Sequence, residues 1–94
     1  MRRAARVDAN QQLVVRALRE LGVSVQLLHT VGKGCPDLIV GHDRKNFLIE
    51  LKDGSKPPSK QKLTPDEIEW HRNWQGQVSV VASVEEALNI CKLS

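Results

Sequence analysis

Apolar positions recur along this chain with two periods, one helical and one extended. Leu13, Val14, Ala17, Leu18 and Leu21 fall at the three-and-four spacing of a single helix face. Asp8 stands where an N-cap belongs, Gln11 follows as its capping-box partner, and Gly22 supplies the stop. Residues 23–29 alternate loosely and are β-branched enough for a strand, and the breakers in 30–36 (TVGKGCP) make a loop. Residues 37–41 (DLIVG) and 46–52 (NFLIELK) predict two strands joined by the turn 42–45, a β-hairpin. No period runs through 53–63 (DGSKPPSKQKL), which is expected to be a mobile basic loop. Thr64-Pro65-Asp66-Glu67 combines an N-cap, a proline at the first helical position and an acidic first turn. It predicts a helix that carries Ile68, Trp70, His71 and Trp74 and ends at Gly76. A short apolar strand at 77–82 follows. Ser83 to Glu86 then opens a last helix with Val84, Ala87, Leu88 and Cys91 facing inward. The order αβββαβα predicts an α/β fold, a mixed central sheet flanked by helices. It forms a single domain over 1–94, with residues 1–7 a flexible basic start.

The hairpin sets the chemistry. If Gly41 faces Asn46 across the turn, the same register puts Asp37 opposite Glu50. Residues paired on antiparallel strands share a face, and Lys52, two positions beyond Glu50, shares it too. Ile39 and Leu48 lie on that face nearer the turn; Leu38, Val40, Phe47, Ile49 and Leu51 fill the other. With apolar residues on both sides, the hairpin is expected to be central and covered on both faces. Two carboxylates side by side repel unless a cation joins them. Oxygen donors at such range suit a hard divalent ion, Mg²⁺ or Mn²⁺. Such an ion polarises a phosphodiester and acidifies water, and Lys52 is the group to orient or deprotonate that water or to balance charge. A Glu-x-Lys in a strand is more commonly a plain ion pair, so this spacing alone does not decide the matter.

Composition narrows the setting. A chain of 94 residues buries only about 60–65% of its unfolded surface. Its core is therefore marginal, and a second copy of the chain is a natural way to bury more, so a homodimer is expected. No apolar run has membrane-spanning length, and no apolar segment follows the first arginines, so no membrane association and a cytoplasmic location are expected. Cys35 and Cys91 form neither a CxxC pair nor a zinc spacing and are expected as buried or half-buried thiols. The net charge of +3 is unevenly spread: residues 1–62 hold twelve Lys or Arg against six Asp or Glu, residues 63–94 two against five. The basic part fits a phosphate-bearing partner. Lys33, in the glycine loop, and Lys56, Lys60 and Lys62, in the basic loop, are candidates to contact phosphates. His29 and His71 are expected to be structural, and Trp70 and Trp74 to be packing or interface anchors.

The run Gly34-Cys-Pro-Asp-Leu-Ile-Val40, then Ile49-Glu-Leu-Lys52, then a basic loop, then Leu63-Thr-Pro-Asp-Glu67 with Glu69-Trp-His71, resembles the PD-(D/E)XK nuclease superfamily. More narrowly it resembles the stand-alone VRR-NUC domains of phages and bacteria, relatives of Holliday junction resolvases. The likeness runs from about Asp8 to Leu88. It implies a restriction-endonuclease-like core, with Asp37, Glu50 and the Leu51 backbone carbonyl as metal ligands and Lys52 as the catalytic lysine. Many members of the family add an acidic residue from the first helix. Here Asn10 and Gln11 occupy that region, and either could contribute through an amide oxygen or a water. The resemblance implies an Mg²⁺-dependent endodeoxyribonuclease, with Mn²⁺ able to substitute. It would act on branched DNA as a homodimer whose two sites cut two strands, in a bacterial host cell if phage-encoded. A nicking or flap nuclease is the near alternative. The missing helix carboxylate motivates a second, a DNA-binding module with a degenerate site.

Overall fold

The elements follow in the predicted order: α1 Ala9–Glu20, β1 Ser24–Leu27, β2 Leu38–His42, β3 Lys45–Leu51, α2 Pro65–Asn73, β4 Ser79–Val81 and α3 Val84–Ile90. The computed structural model describes residues 9–93, so the basic start 1–7 and the cap at Asp8 lie outside the described residues. Among the described residues, no helix is long and apolar enough to cross a membrane.

Asp43 and Arg44 both take positive φ, 54° and 63°, in the two-residue turn between β2 and β3. Two left-handed residues in sequence make the turn whose twist matches a hairpin, and they fix its register. Gly41 accordingly pairs with Asn46 and Leu38 with Ile49, which is the register expected from the sequence. The sheet order is β1-β2-β3-β4. β1 and β2 are antiparallel, and β3 and β4 are parallel. A parallel neighbour demands a crossover, and residues 52–78, with α2 inside them, make it.

Leu38, Val40, Phe47, Ile49, Leu51 and Val81 point to one face of the sheet and are buried with Val14, Val15 and Leu18 of α1 and with Ala87 and Cys91. That face is the core. Here α1 departs from expectation. Leu13 and Leu21 are more than half exposed, while Val15 turns inward. Both settings satisfy helical spacing; the position of the sheet decides between them.

The opposite face departs further. It is not fully covered: Ile39 and Leu48 are half-buried, and Val80, which pairs with Glu50, is 47% exposed. None of the residues of α2 is buried. Trp70 and Trp74 stack on each other with ring centroids 4.6 Å apart, and Trp74 remains 46% exposed. The tryptophans therefore do not anchor the core.

Two connections hold α2 and β4 in place. Gly34, at φ 82°, lies so close to the first turn of α2 that a Cβ built on it would stand 2.2 Å from the Asp66 carbonyl oxygen. Where β4 has not yet begun, the Gln77 side chain stands in for it. Its Oε1 accepts from the Leu48 N–H at 2.7 Å, and its Nε2 donates to the Leu48 carbonyl at 2.9 Å. The basic segment 53–63 also has local structure of its own. It contains a short 3-10 turn at Pro58–Lys60. The Asp53 carboxylate accepts from the Ser55 N–H and hydroxyl, and Gln61 Nε2 donates to the Lys56 carbonyl.

Candidate active site

Asp37 stands one residue before β2, with Pro36 fully buried behind it. Its Oδ2 accepts from the Leu51 N–H at 2.8 Å, tying the open end of the hairpin together. Successive residues of a strand send their backbone groups to opposite edges. The Lys52 N–H goes to the Val81 carbonyl at 2.9 Å, on the β4 side. The Leu51 N–H and carbonyl therefore both point to the other edge, where Asp37 stands. Asp37, Glu50 and the Leu51 carbonyl converge as the strand geometry requires.

Glu50 is 2% exposed, and Lys52 reaches back over it. The Lys52 Nζ lies 3.6 Å from Glu50 Oε2 and 2.8 Å from Glu67 Oε1. The three residues singled out from the sequence thus share one face and one small volume. Asn10 also arrives at the end of β3, but on its backbone: Asn10 Nδ2 donates to the Lys52 carbonyl at 2.8 Å. Gln11 is buried on α1. Lys33 is exposed, with φ 58°. It lines a cleft of ≈ 380 Å³ with Asp66, Glu69, Asn73 and the two tryptophans of α2. Lys56, Lys60 and Lys62 are exposed on the basic segment.

Two nearby residues were not foreseen. Glu67 reads in the sequence only as a helix cap, and it does close the capping box with Thr64. It also bonds Lys52 across fifteen positions of chain. Cys35 is half-buried, and its thiol is pushed up by burial and then by the negative charge of Glu50 and Asp37. The only signal for either was adjacency: Cys35 precedes Pro36-Asp37, and Glu67 lies in the acidic turn after the basic segment.

The electrostatics follow from burial. Desolvation first, then the charge of Asp37, then Glu67, push the Glu50 carboxyl up to about 9; Lys52 opposes them and loses. Burial also raises Asp37, against the pull of the Leu51 N–H. Glu67 goes the other way, because the bonds from Lys52 and Thr64 overcome its burial and hold it below the usual carboxylate range. Burial works against the Lys52 ammonium as well, but Glu67 and Glu50 outweigh it and leave its pKa raised.

The donors fit a hard divalent cation. Glu50 Oε1 is buried without a hydrogen-bond partner, which is costly for a carboxylate unless a cation or proton satisfies it. Asp37 is beside it, and the Leu51 carbonyl faces the same way. The side-chain donors are two carboxylates: among the described residues no three His, Cys, Asp or Glu are grouped to hold an ion. Asp37, Glu50 and the Leu51 carbonyl are the residues that would hold it, with waters completing the shell.

The protonated Glu50 makes a testable prediction for the metal-free protein. Its pKa is about 9 folded, against an ordinary 4.5. Between those values the folded state keeps a proton that the unfolded state has lost, so stability falls as pH rises across that window. The raised Asp37 acts in the same sense. Glu50→Gln removes the larger effect. In EDTA at pH 8 the variant is expected to melt about 5–10 °C above the parent, on the usual scale for a domain this size. At pH 4 the two should melt together. Thermal melts across the pH range check this, and an equal slope for both proteins would refute it.

No family model matches this chain, and no curated protein matches it. A solved structure described as a VRR_NUC domain superposes with a TM-score of 0.61, at 25% identity over 87% of this chain and 89% of that one. Shared architecture over nearly the whole of both chains gives this chain the restriction-endonuclease-like fold of a VRR-NUC domain, and supports its likeness to the PD-(D/E)XK nucleases.

Proposed function

We propose that this domain is an Mg²⁺-dependent endodeoxyribonuclease, with Mn²⁺ able to substitute, that hydrolyses phosphodiester bonds in branched DNA. The observation that carries the reading is the pairing of Asp37 and Glu50 beneath Lys52, with Glu50 Oε1 left without a protein partner. A divalent ion bound there supplies Lewis acidity to the phosphodiester and to the attacking water. The protein's own groups do the rest. Asp37 and Glu50 bring negative charge, and Glu50 gives up its proton when it binds a cation. Lys52, held as an ammonium, orients the water and offsets the charge that builds on the phosphate. Lys56, Lys60 and Lys62 lie on the segment that leaves the site, exposed and basic, suited to the backbone phosphates on either side of the cut.

A homodimer follows from the same reading. One site cuts one strand, and a symmetric cut at a four-way junction requires two sites related by a twofold axis. The half-open sheet face, with Ile39, Leu48 and the exposed Val80, is apolar surface that a second copy would cover.

The experiment is cleavage of a mobile four-way junction, a flap, a nicked duplex and a linear duplex in Mg²⁺ and in Mn²⁺, with sedimentation to give the oligomeric state. The junction should be cut fastest, with paired incisions, by a dimer, and Lys52→Ala should cut none of the four. Faster cutting of the flap or nicked duplex would favour a repair nuclease. Binding without cutting, in both metals, would overturn the hydrolase reading in favour of a DNA-binding module.

A further inference from the structure

A capping-box glutamate has one task, to reach back to the N-cap N–H, and it usually does so facing solvent. Glu67 performs that task and a second one. Its Oε1 accepts from the Thr64 N–H at 2.9 Å and from the Lys52 ammonium at 2.8 Å, with its side chain only 18% exposed. We infer that Glu67 is a positioning residue for the hydrolysis proposed above: it holds the Lys52 amine over the Asp37–Glu50 pair. The inference rests on that reading of the site.

Distances separate the two carboxylates that face Lys52. Glu50 Oε2 lies 3.6 Å from Nζ, beyond hydrogen-bond range, so it does not direct the ammonium. Glu67 makes the short, charge-assisted bond that fixes direction. A lysine side chain has four rotatable bonds and adopts one geometry only when something holds its end.

Glu67 is itself held. Its carboxylate accepts from the Thr64 backbone N–H, and the helix turn it belongs to is seated against Gly34. The contact also joins the two ends of the basic segment, since Lys52 opens it and Glu67 follows it. The amine and the phosphate-facing lysines are thereby set in one frame.

The test compares wild type with Glu67→Gln, Glu67→Ala and Thr64→Ala. Glutamine keeps an oxygen for the Thr64 N–H but presents a neutral acceptor to Lys52. Alanine loses both bonds. Thr64→Ala weakens the cap and leaves Glu67 facing Lys52. Three readouts are taken: kcat and KM for junction cleavage in Mn²⁺, the melting temperature, and the rate at which Lys52 is acetylated in metal-free protein, followed by peptide mass spectrometry. In Glu67→Gln, kcat should fall several-fold and KM for DNA should hold within about twofold. In Glu67→Ala, kcat should fall more than tenfold. Lys52 should be acetylated several times faster in both. Thr64→Ala should melt several degrees lower with Lys52 protected and kcat preserved. Acetylation of Lys52 at the wild-type rate in Glu67→Ala, or kcat losses that track melting temperature across all three variants, would overturn the inference. If wild type cuts no DNA, the nuclease reading fails, and the acetylation rates alone still decide whether Glu67 holds the amine.

Discussion

Asp37→Ala is expected to lower the rate of metal-dependent cleavage by about a thousandfold or more, equivalent to ~4 kcal/mol of transition-state stabilisation. The loss has two sources that a second variant separates. Alanine removes one of the two proposed side-chain ligands, and it also removes the acceptor of the Leu51 N–H bond. Asp37→Asn keeps an oxygen for that N–H and loses only the charge. It should be as inactive as the alanine variant, bind Mn²⁺ more weakly by calorimetry, and melt no lower than the parent in EDTA. The last expectation follows from the negative charge of Asp37 being one of the causes that raise Glu50. Without it, burial of Glu50 is less costly. Cleavage within tenfold of wild type by Asp37→Asn would remove this residue from the metal site.

The second large effect is on folding. Gly34→Ala is expected to lower the melting temperature by more than 10 °C and to reduce activity with it. Two independent penalties meet at this position. A residue with a Cβ at φ 82° costs about 1–2 kcal/mol in the left-handed region. The Cβ would also stand 2.2 Å from backbone, the Asp66 carbonyl oxygen, which cannot rotate aside. The first turn of α2 must then move, and Glu67 moves with it. Gly32 supplies the control. It has the same φ of 82° with nothing within 4 Å, so Gly32→Ala should lose only the backbone penalty, about 4–8 °C for each kcal/mol in a domain of this size. Equal melting temperatures for the two variants would mean that the contact with α2 contributes nothing.

What could be read from the sequence was what depends on near neighbours. The hairpin register followed from a two-residue turn, and it carried Asp37, Glu50 and Lys52 to one face without further information. The start of α2 was equally local, since its cap, proline and acids lie within four residues. The misses all required knowing what lies across the molecule. On α1, Leu13 and Val15 are both apolar, and only the sheet beneath the helix decides that Val15 is buried and Leu13 exposed. Trp70 and Trp74 read as packing or interface anchors, and they stack on each other with Trp74 exposed rather than packing into the core. The same holds for the sheet's second face, where Ile39 and Leu48 read as buried positions but are only half-buried. Glu67 escaped notice because a cap explained it completely, and its second partner is fifteen positions away.

The Gln77 side chain has a consequence for how the crossover is measured out. β4 is three residues long and parallel to its neighbour, so few rungs hold its alignment. A primary amide carries an acceptor and a donor side by side, as a peptide group does. Gln77 therefore adds one more rung, at Leu48, before the strand proper begins. Sliding β4 by a single position would break both amide bonds and exchange the buried Val81 for Val80. Gln77 thus acts as a ruler stop. It sets how much chain spans the gap from β3, and with that the spot at which the acidic turn comes to rest beside the Lys52 amine.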